Sequence, residues 1–228
     1  MQTIILLRHG YPTSWDLKDK TRATATHLRQ DPALAAIGTR QAKASAAHIA
    51  AAGGAEVVWS SPFRACLETA DLVAADCKVE VQADWKLGEV LLSQVLGSPF
   101  SPTSAMDPDC EDRRRGAGKP SHPESDQTIQ DRVARTVLAL KSHKPFAQRI
   151  VIVSHAIILQ KLCQAMIGRS FMVDWHPGAL TTLQRAKPLD RQWRLHGEPA
   201  SFAHLGDDDR PEPADQIEVK YHPLDSRG

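Results

Sequence analysis

The sequence predicts an α/β domain, a three-layer α/β/α sandwich around a mostly parallel central sheet. Short runs rich in β-branched and leucine residues alternate along it with longer stretches of helical character. Such alternation implies crossover connections, and crossovers place helices on both faces of a parallel sheet. With 228 residues the chain can bury roughly 70% of its unfolded surface, so it needs no disulfide or metal to hold a core.

The strand-like runs are Thr3–Leu7, Glu56–Trp59, Lys78–Val81 and Arg149–Val153, with a weaker pair at Leu180–Gln184 and Gln192–Leu195. The helical stretches begin with the alanine-rich Gly38–Ala52. Pro62–Ala75 comes next, with proline at its first position after Ser61, then Asp126–Lys144 and His155–Ile167. Within the third, Ile129, Val133, Val137 and Leu140 recur at three- and four-residue spacing, which makes one apolar face. Two regions interrupt the alternation. Residues 92–124 are rich in Ser, Pro, Asp and Gly and carry Arg113-Arg114-Arg115, as expected of a lid-like insertion. Residues 206–228 are acidic and proline-bearing and read as a polar tail. The expected organisation is therefore one domain over 1–205 with that tail after it.

Composition narrows the function. Lys plus Arg number 28 and Asp plus Glu 27, a net charge of +1, which gives no sequence-wide case for nucleic acid or an anionic membrane. Aromatic residues at 5% are too sparse for a base-stacking platform. The four cysteines are far apart with no C-x-x-C, and read as free thiols of a reducing compartment. Ile4–Leu7 is too short for a signal-peptide core, and no apolar run approaches the roughly 20 residues of a membrane span. A soluble, cytoplasmic protein is the expectation. Oligomeric state is not legible.

Parallel α/β sheets bind ligands outside the carboxyl ends of their strands. Here those ends read Arg8-His9-Gly10, then Ser60-Ser61-Pro62 with Arg64 just beyond, then Ser154-His155-Ala156. Three strand ends thus deliver two arginines, two histidines and two helix N-termini to one edge, a pocket suited to a dianion. Arginine grips phosphate with a permanently charged fork, and a neutral histidine is a nucleophile. Zinc is the competing use of paired histidines, but no third ligand has suitable spacing and two arginines would repel a cation. Gly116-Ala117-Gly118-Lys119-Pro120 has the wrong glycine spacing for a nucleotide loop.

In order along the chain, these residues resemble the histidine phosphatase superfamily, also called phosphoglycerate mutase-like. The resemblance rests on R-H-G at Arg8–Gly10, a Leu…Gly-x-x-Gln-Ala pattern at Leu34 and Gly38–Ala42, and S-S-P-x-x-R-A-x-x-T-A at Ser60–Ala70. D-x-x-L-x-E comes next at Asp84–Glu89, then E-S…R-V at Glu124-Ser125 with Arg132-Val133, and V-S-H-G as Val153–Ala156. It spans Thr3 to about Gln184 and implies that family's fold and a phosphoric monoester hydrolase acting on a small phosphorylated substrate. His9 would then be the nucleophile that becomes phosphohistidine. Arg8, Arg64 and His155, with the Ala156 backbone, would hold the phosphoryl oxygens. Glu89 would be the general acid and base, in a segment apolar enough to raise its pKa, with Asp84 and Asp16 as fallbacks. No metal or other cofactor is implied.

Departures from the family pattern sharpen the expectation. Tyr11–Asp16 replaces the polar run after R-H-G in the mutases, and Val90–Gln94 replaces a Gly-x-Trp-Glu-Gly-like stretch. Both count against mutase chemistry, which must hold two phosphates and exclude water. Tyr11, Trp15 and Trp85 could shape an apolar wall, and Arg113–Arg115 or Lys119 could meet a second anionic group. A phosphomutase and a catalytically silent phospholigand-binding protein remain the alternatives.

Overall fold

The computed structural model describes residues 1–15, 31–90, 124–142, 148–186 and 193–210. Six strands form one sheet in the order β3-β2-β4-β1-β5-β6. They are β1 (Gln2–Arg8), β2 (Val57–Ser60), β3 (Val81–Ala83), β4 (Arg149–Ser154), β5 (Leu180–Arg185) and β6 (Arg194–Ser201). The pairs β1–β4, β4–β2 and β2–β3 are parallel, while β5 runs antiparallel to β1 and to β6. The sheet is mostly parallel, as the sequence predicts.

Side-chain alternation along the central strands builds the two outer layers. Ile4 and Leu6 of β1 join Ile150 and Ile152 of β4 in a core with α3 (Asp126–Ser142) and α4 (Ala156–Ile167). Ile5 and Leu7 point the other way, into a core with Val151, Val153, α1 (Ala36–Ala51) and α2 (Arg64–Cys77). Each of these isoleucines and leucines, buried, is worth about 2 kcal/mol of transfer free energy. The α1 helix is apolar mainly through alanine, and that suits it: Ala42, Ala46 and Ile49 are fully buried where it lies close to its neighbours.

Several boundaries differ from the sequence reading for identifiable reasons. The third strand is Val81–Ala83 rather than Lys78–Val81, because Lys78 takes a left-handed conformation (φ 58°) that ends α2. Pro62 is not the first residue of α2, since Ser61 Oγ accepts from Phe63 N and the helix opens at Arg64. The last strand runs on to Ser201 rather than ending at Leu195, past Gly197 (φ 81°) and Pro199, with a register shift between Leu180 and Thr182 of its partner. Asp207–Asp209 form a 3-10 turn whose Asp209 pairs with Arg40 of α1 at 2.6 Å. Arg113–Arg115, Lys119, Asp16 and most of the 92–124 insertion lie outside the described residues. Among those described, no helix is long and apolar enough to cross a membrane.

Candidate active site

His9 stands just past β1 at the carboxyl edge of the sheet. Its N–H donates to Ser154 O (3.2 Å) and its carbonyl accepts from Gly178 N (3.2 Å), so β4 and the turn before β5 hold its backbone. The next residue allows a close crossing. A Cβ on Gly10 would lie 2.3 Å from Gly38 O, and one on Gly38 would lie 2.1 Å from Tyr11 O. Gln41 of α1 fastens this approach by accepting from Tyr11 N at 2.9 Å, and Thr69 of α2 accepts from Gly10 N at 3.1 Å. Two helices therefore grip the turn that presents His9.

That grip sets the tautomer. His9 Nδ1 lies 2.8 Å from Gly10 O. A carbonyl oxygen can only accept, so Nδ1 carries the hydrogen and Nε2 keeps its lone pair. Burial pushes the His9 pKa down to about 3, and the charges of His155 and Arg8 push it the same way. The imidazole is neutral at physiological pH.

His155 is 5% exposed, stands at the N-terminus of α4, and has its ring centroid 5.2 Å from that of His9. Its Nδ1 lies 3.1 Å from Glu89 Oε2, and its Nε2 lies 2.8 Å from Ser61 Oγ and 3.5 Å from Cys66 Sγ. Burial opposes a charge here, but Cys66 and the Glu89 carboxylate outweigh it and push the pKa up to about 10. Glu89 responds in kind. Burial would raise its pKa, yet His155 and the Val90 N–H hold the carboxyl down at about 2. The expected upward shift of Glu89 is thus reversed: the apolar neighbours are there, but so is an imidazolium brought from another strand end.

Arg8 lies over the Trp15 ring, 5.0 Å from its centroid, and one Nη donates to Trp175 O. Its Nε is buried with no hydrogen-bond partner among the described residues. A buried, unsatisfied guanidinium N–H is costly, and an anion oxygen would satisfy it. The cluster is therefore a neutral imidazole close to two cations, with the Glu89 carboxylate against one of them, His155. Ala156, as the first residue of α4, has no intrahelical partner for its N–H and adds a donor beside His155.

Arg64 is placed differently. It opens α2, its Nε pairs with Glu68 at 2.7 Å, and its N–H donates to Asp31 Oδ1 at 2.6 Å. The N-terminus of α2 is thus occupied by a carboxylate, where the sequence suggested unpaired N–H groups. Asp84 caps Lys86 N and pairs with Lys86 Nζ. Trp85 packs on Phe63, whose ring in turn meets that of His155, while Tyr11 Oη donates to Trp15 O. Sequence reasoning assigned no role to Ser61, Cys66, the Trp175 carbonyl or Arg132. Ser61 and Arg132 sit in the quoted motifs, whereas nothing in the sequence marks Trp175.

The opposed shifts predict a stability maximum near pH 6.5. His9 and Glu89 titrate lower folded than their ordinary 6.5 and 4.5, so stability falls as pH drops below those values. His155 titrates higher folded, so its contribution is complete below 6.5 and is lost as pH rises through about 10. Thermal melts from pH 4 to 10 should show both limbs, and His155→Gln should flatten the alkaline one. An unchanged alkaline limb in that variant would break the His155–Glu89 assignment.

Among the described residues no three His, Cys, Asp or Glu side chains gather as a metal ion would need. Comparison with known proteins places these observations. The family model described as histidine phosphatase superfamily (branch 1) matches residues 4–201. A phosphoglycerate mutase-like protein 4 of Arabidopsis thaliana is 30% identical over 164 residues, 70% of this chain and 68% of that protein. Among solved structures, a mycobacterial glucosyl-3-phosphoglycerate phosphatase with inorganic phosphate superposes with TM-score 0.64 at 20% identity, over 90% of this chain and 100% of that one. A phosphoserine phosphatase from Entamoeba histolytica, in complex with 3-phosphoglyceric acid, gives 0.60 at 23%, over 90% and 100%. The structural likenesses establish the fold.

Proposed function

The chain belongs to the histidine phosphatase superfamily, and on that premise we propose that it is a metal-independent phosphatase hydrolysing a small phosphomonoester through phosphohistidine on His9. The observation that carries this is the setting of His9: Nδ1 donates to Gly10 O, which leaves Nε2 its lone pair, and the ring stands 5.2 Å from that of His155 with the Arg8 charge acting on it.

In the first half-reaction Nε2 attacks phosphorus and the bond to the leaving oxygen breaks. Arg8 and His155 stabilise the charge on the equatorial oxygens, with the Ala156 N–H beside them, and Arg64 is the further phosphate ligand once its guanidinium turns from Glu68. Glu89 gives the leaving oxygen its proton. In the free protein that carboxyl is ionised against His155. An arriving phosphate dianion takes over His155 as partner and raises the Glu89 pKa, so the proton is taken up as substrate binds. In the second half Glu89 removes a proton from water, water attacks phosphorus, and phosphate and free His9 return.

Hydrolysis of p-nitrophenyl phosphate in excess chelator tests the reading, with a glycerate or sugar acceptor present to detect phosphoryl transfer. Chelator-resistant release of phosphate is expected, with water the principal acceptor; transfer mainly to the added acceptor would make the protein a mutase. Glu89→Gln should lower kcat/KM, which reports the first half-reaction alone, by about 100-fold for an alkyl phosphate and by only a few-fold for p-nitrophenyl phosphate, because nitrophenolate leaves unaided. Equal losses would remove Glu89 from the acid role.

A further inference from the structure

Arg132 lies in α3, is 4% exposed, and is far in sequence from every strand end, yet its guanidinium is devoted to the segment that carries Glu89. One Nη donates to Lys86 O at 3.1 Å and to Gly88 O at 2.6 Å. The other donates to Glu89 O at 3.2 Å and to Glu124 Oε2 at 2.9 Å. Its Nε faces Glu124 Oε1 at 2.8 Å, and the Glu124 side chain is fully buried. The carbonyl between these, Leu87 O, accepts from Ser154 Oγ at 2.6 Å, one residue before His155.

Four successive carbonyls are therefore tied, three by one guanidinium and the fourth by the strand end that delivers His155. This segment spans the end of the 3-10 turn Trp85–Leu87 and the two residues after it and belongs to no sheet ladder, so those ties supply the partners a ladder would otherwise give its carbonyls. The Glu124 carboxylate orients the fork from behind, and a planar fork is what holds several acceptors in one geometry. We infer that Arg132 is a positioning residue that sets the Glu89 carboxyl against His155 and the leaving oxygen, acting through the backbone of Lys86–Glu89. The inference rests on Glu89 being the acid.

Arg132→Lys keeps a cation beside Glu124 but replaces the fork by a single ammonium. A misplacement of about 1 Å at a reacting group costs roughly 100-fold. Arg132→Lys is accordingly expected to lower kcat/KM for an alkyl phosphate by about 30- to 100-fold, and for p-nitrophenyl phosphate by less than about 3-fold. Competitive inhibition by inorganic phosphate should change less than about 2-fold, since Arg8 and His155 are untouched. In a Glu89→Gln background the same substitution should leave the alkyl-to-aryl ratio unchanged, because the group it positions is gone.

A merely structural Arg132 would lower both substrates alike, or lower the ratio further in the Glu89→Gln background; either result overturns the inference while leaving Glu89 as the acid. A Glu89→Gln variant with an unaltered ratio removes the acid reading itself and the inference with it. Should Arg132→Lys not fold, Arg132→Met combined with Glu124→Leu removes the pair without stranding a buried charge, and the same selective loss is expected.

Discussion

His9→Ala is expected to abolish turnover of every phosphomonoester, by about four orders of magnitude or more, while the protein still binds inorganic phosphate or vanadate. The two halves of that expectation come from different atoms. Covalent chemistry needs the free Nε2 lone pair, which no neighbour supplies: Arg8 is cationic, and both nitrogens of His155 already face Glu89, Ser61 and Cys66. Anion binding draws on the unsatisfied Arg8 Nε and the charge of His155, which the substitution does not remove. It also deletes the 5.2 Å ring contact, so His155 gains room and anion affinity changes by less than about tenfold. Rapid quench of wild type with labelled substrate should trap acid-labile, base-stable phosphoprotein that His9→Ala lacks. Retention of even a tenth of wild-type kcat in the variant would exclude His9 as the nucleophile.

The sheet and this cluster were legible in the sequence for a common reason. Parallel strands buried on both faces read as apolar runs, and the residues just after each run land at the carboxyl edge, so Arg8, His9 and His155 could be placed together from residue order alone. Glu89 was harder. Its apolar neighbours pointed to a raised pKa, while the imidazolium that lowers it arrives from 66 residues further along, at the end of β4. Arg64 shows the same limit from the other side: its position at the start of α2 was readable, but its pairing with Glu68 and Asp31 depends on local geometry. Lys78 hid a helix end because left-handed caps usually announce themselves by glycine. Arg132 was visible as a motif match, but its function is carried by the backbone carbonyls of Lys86, Gly88 and Glu89, and carbonyls leave no mark in a sequence.

Gly38→Ala should be the most damaging substitution away from the reacting atoms, costing about 3 kcal/mol of stability and lowering the melting temperature by roughly 10 °C. The new Cβ would lie 2.1 Å from Tyr11 O and 2.7 Å from Tyr11 N, and neither is the movable end of a flexible side chain. Relief requires α1 to retreat from the turn after β1, and that retreat draws Gln41 Oε1 away from Tyr11 N. Gly10 O then loses its fixed place beside His9 Nδ1, and with it the preference for the tautomer that frees Nε2. Activity should therefore fall at temperatures where the variant is still folded, with kcat affected more than phosphate affinity. Gly206→Ala is the matched control, since a Cβ there meets nothing within 4 Å and its φ of −63° is ordinary for any residue. Its melting temperature should stay within about 1 °C of wild type. If Gly38→Ala melts like Gly206→Ala and keeps full kcat, the backbones of α1 and the His9 turn do not meet, and the glycine of the Gly-x-x-Gln-Ala pattern needs another explanation.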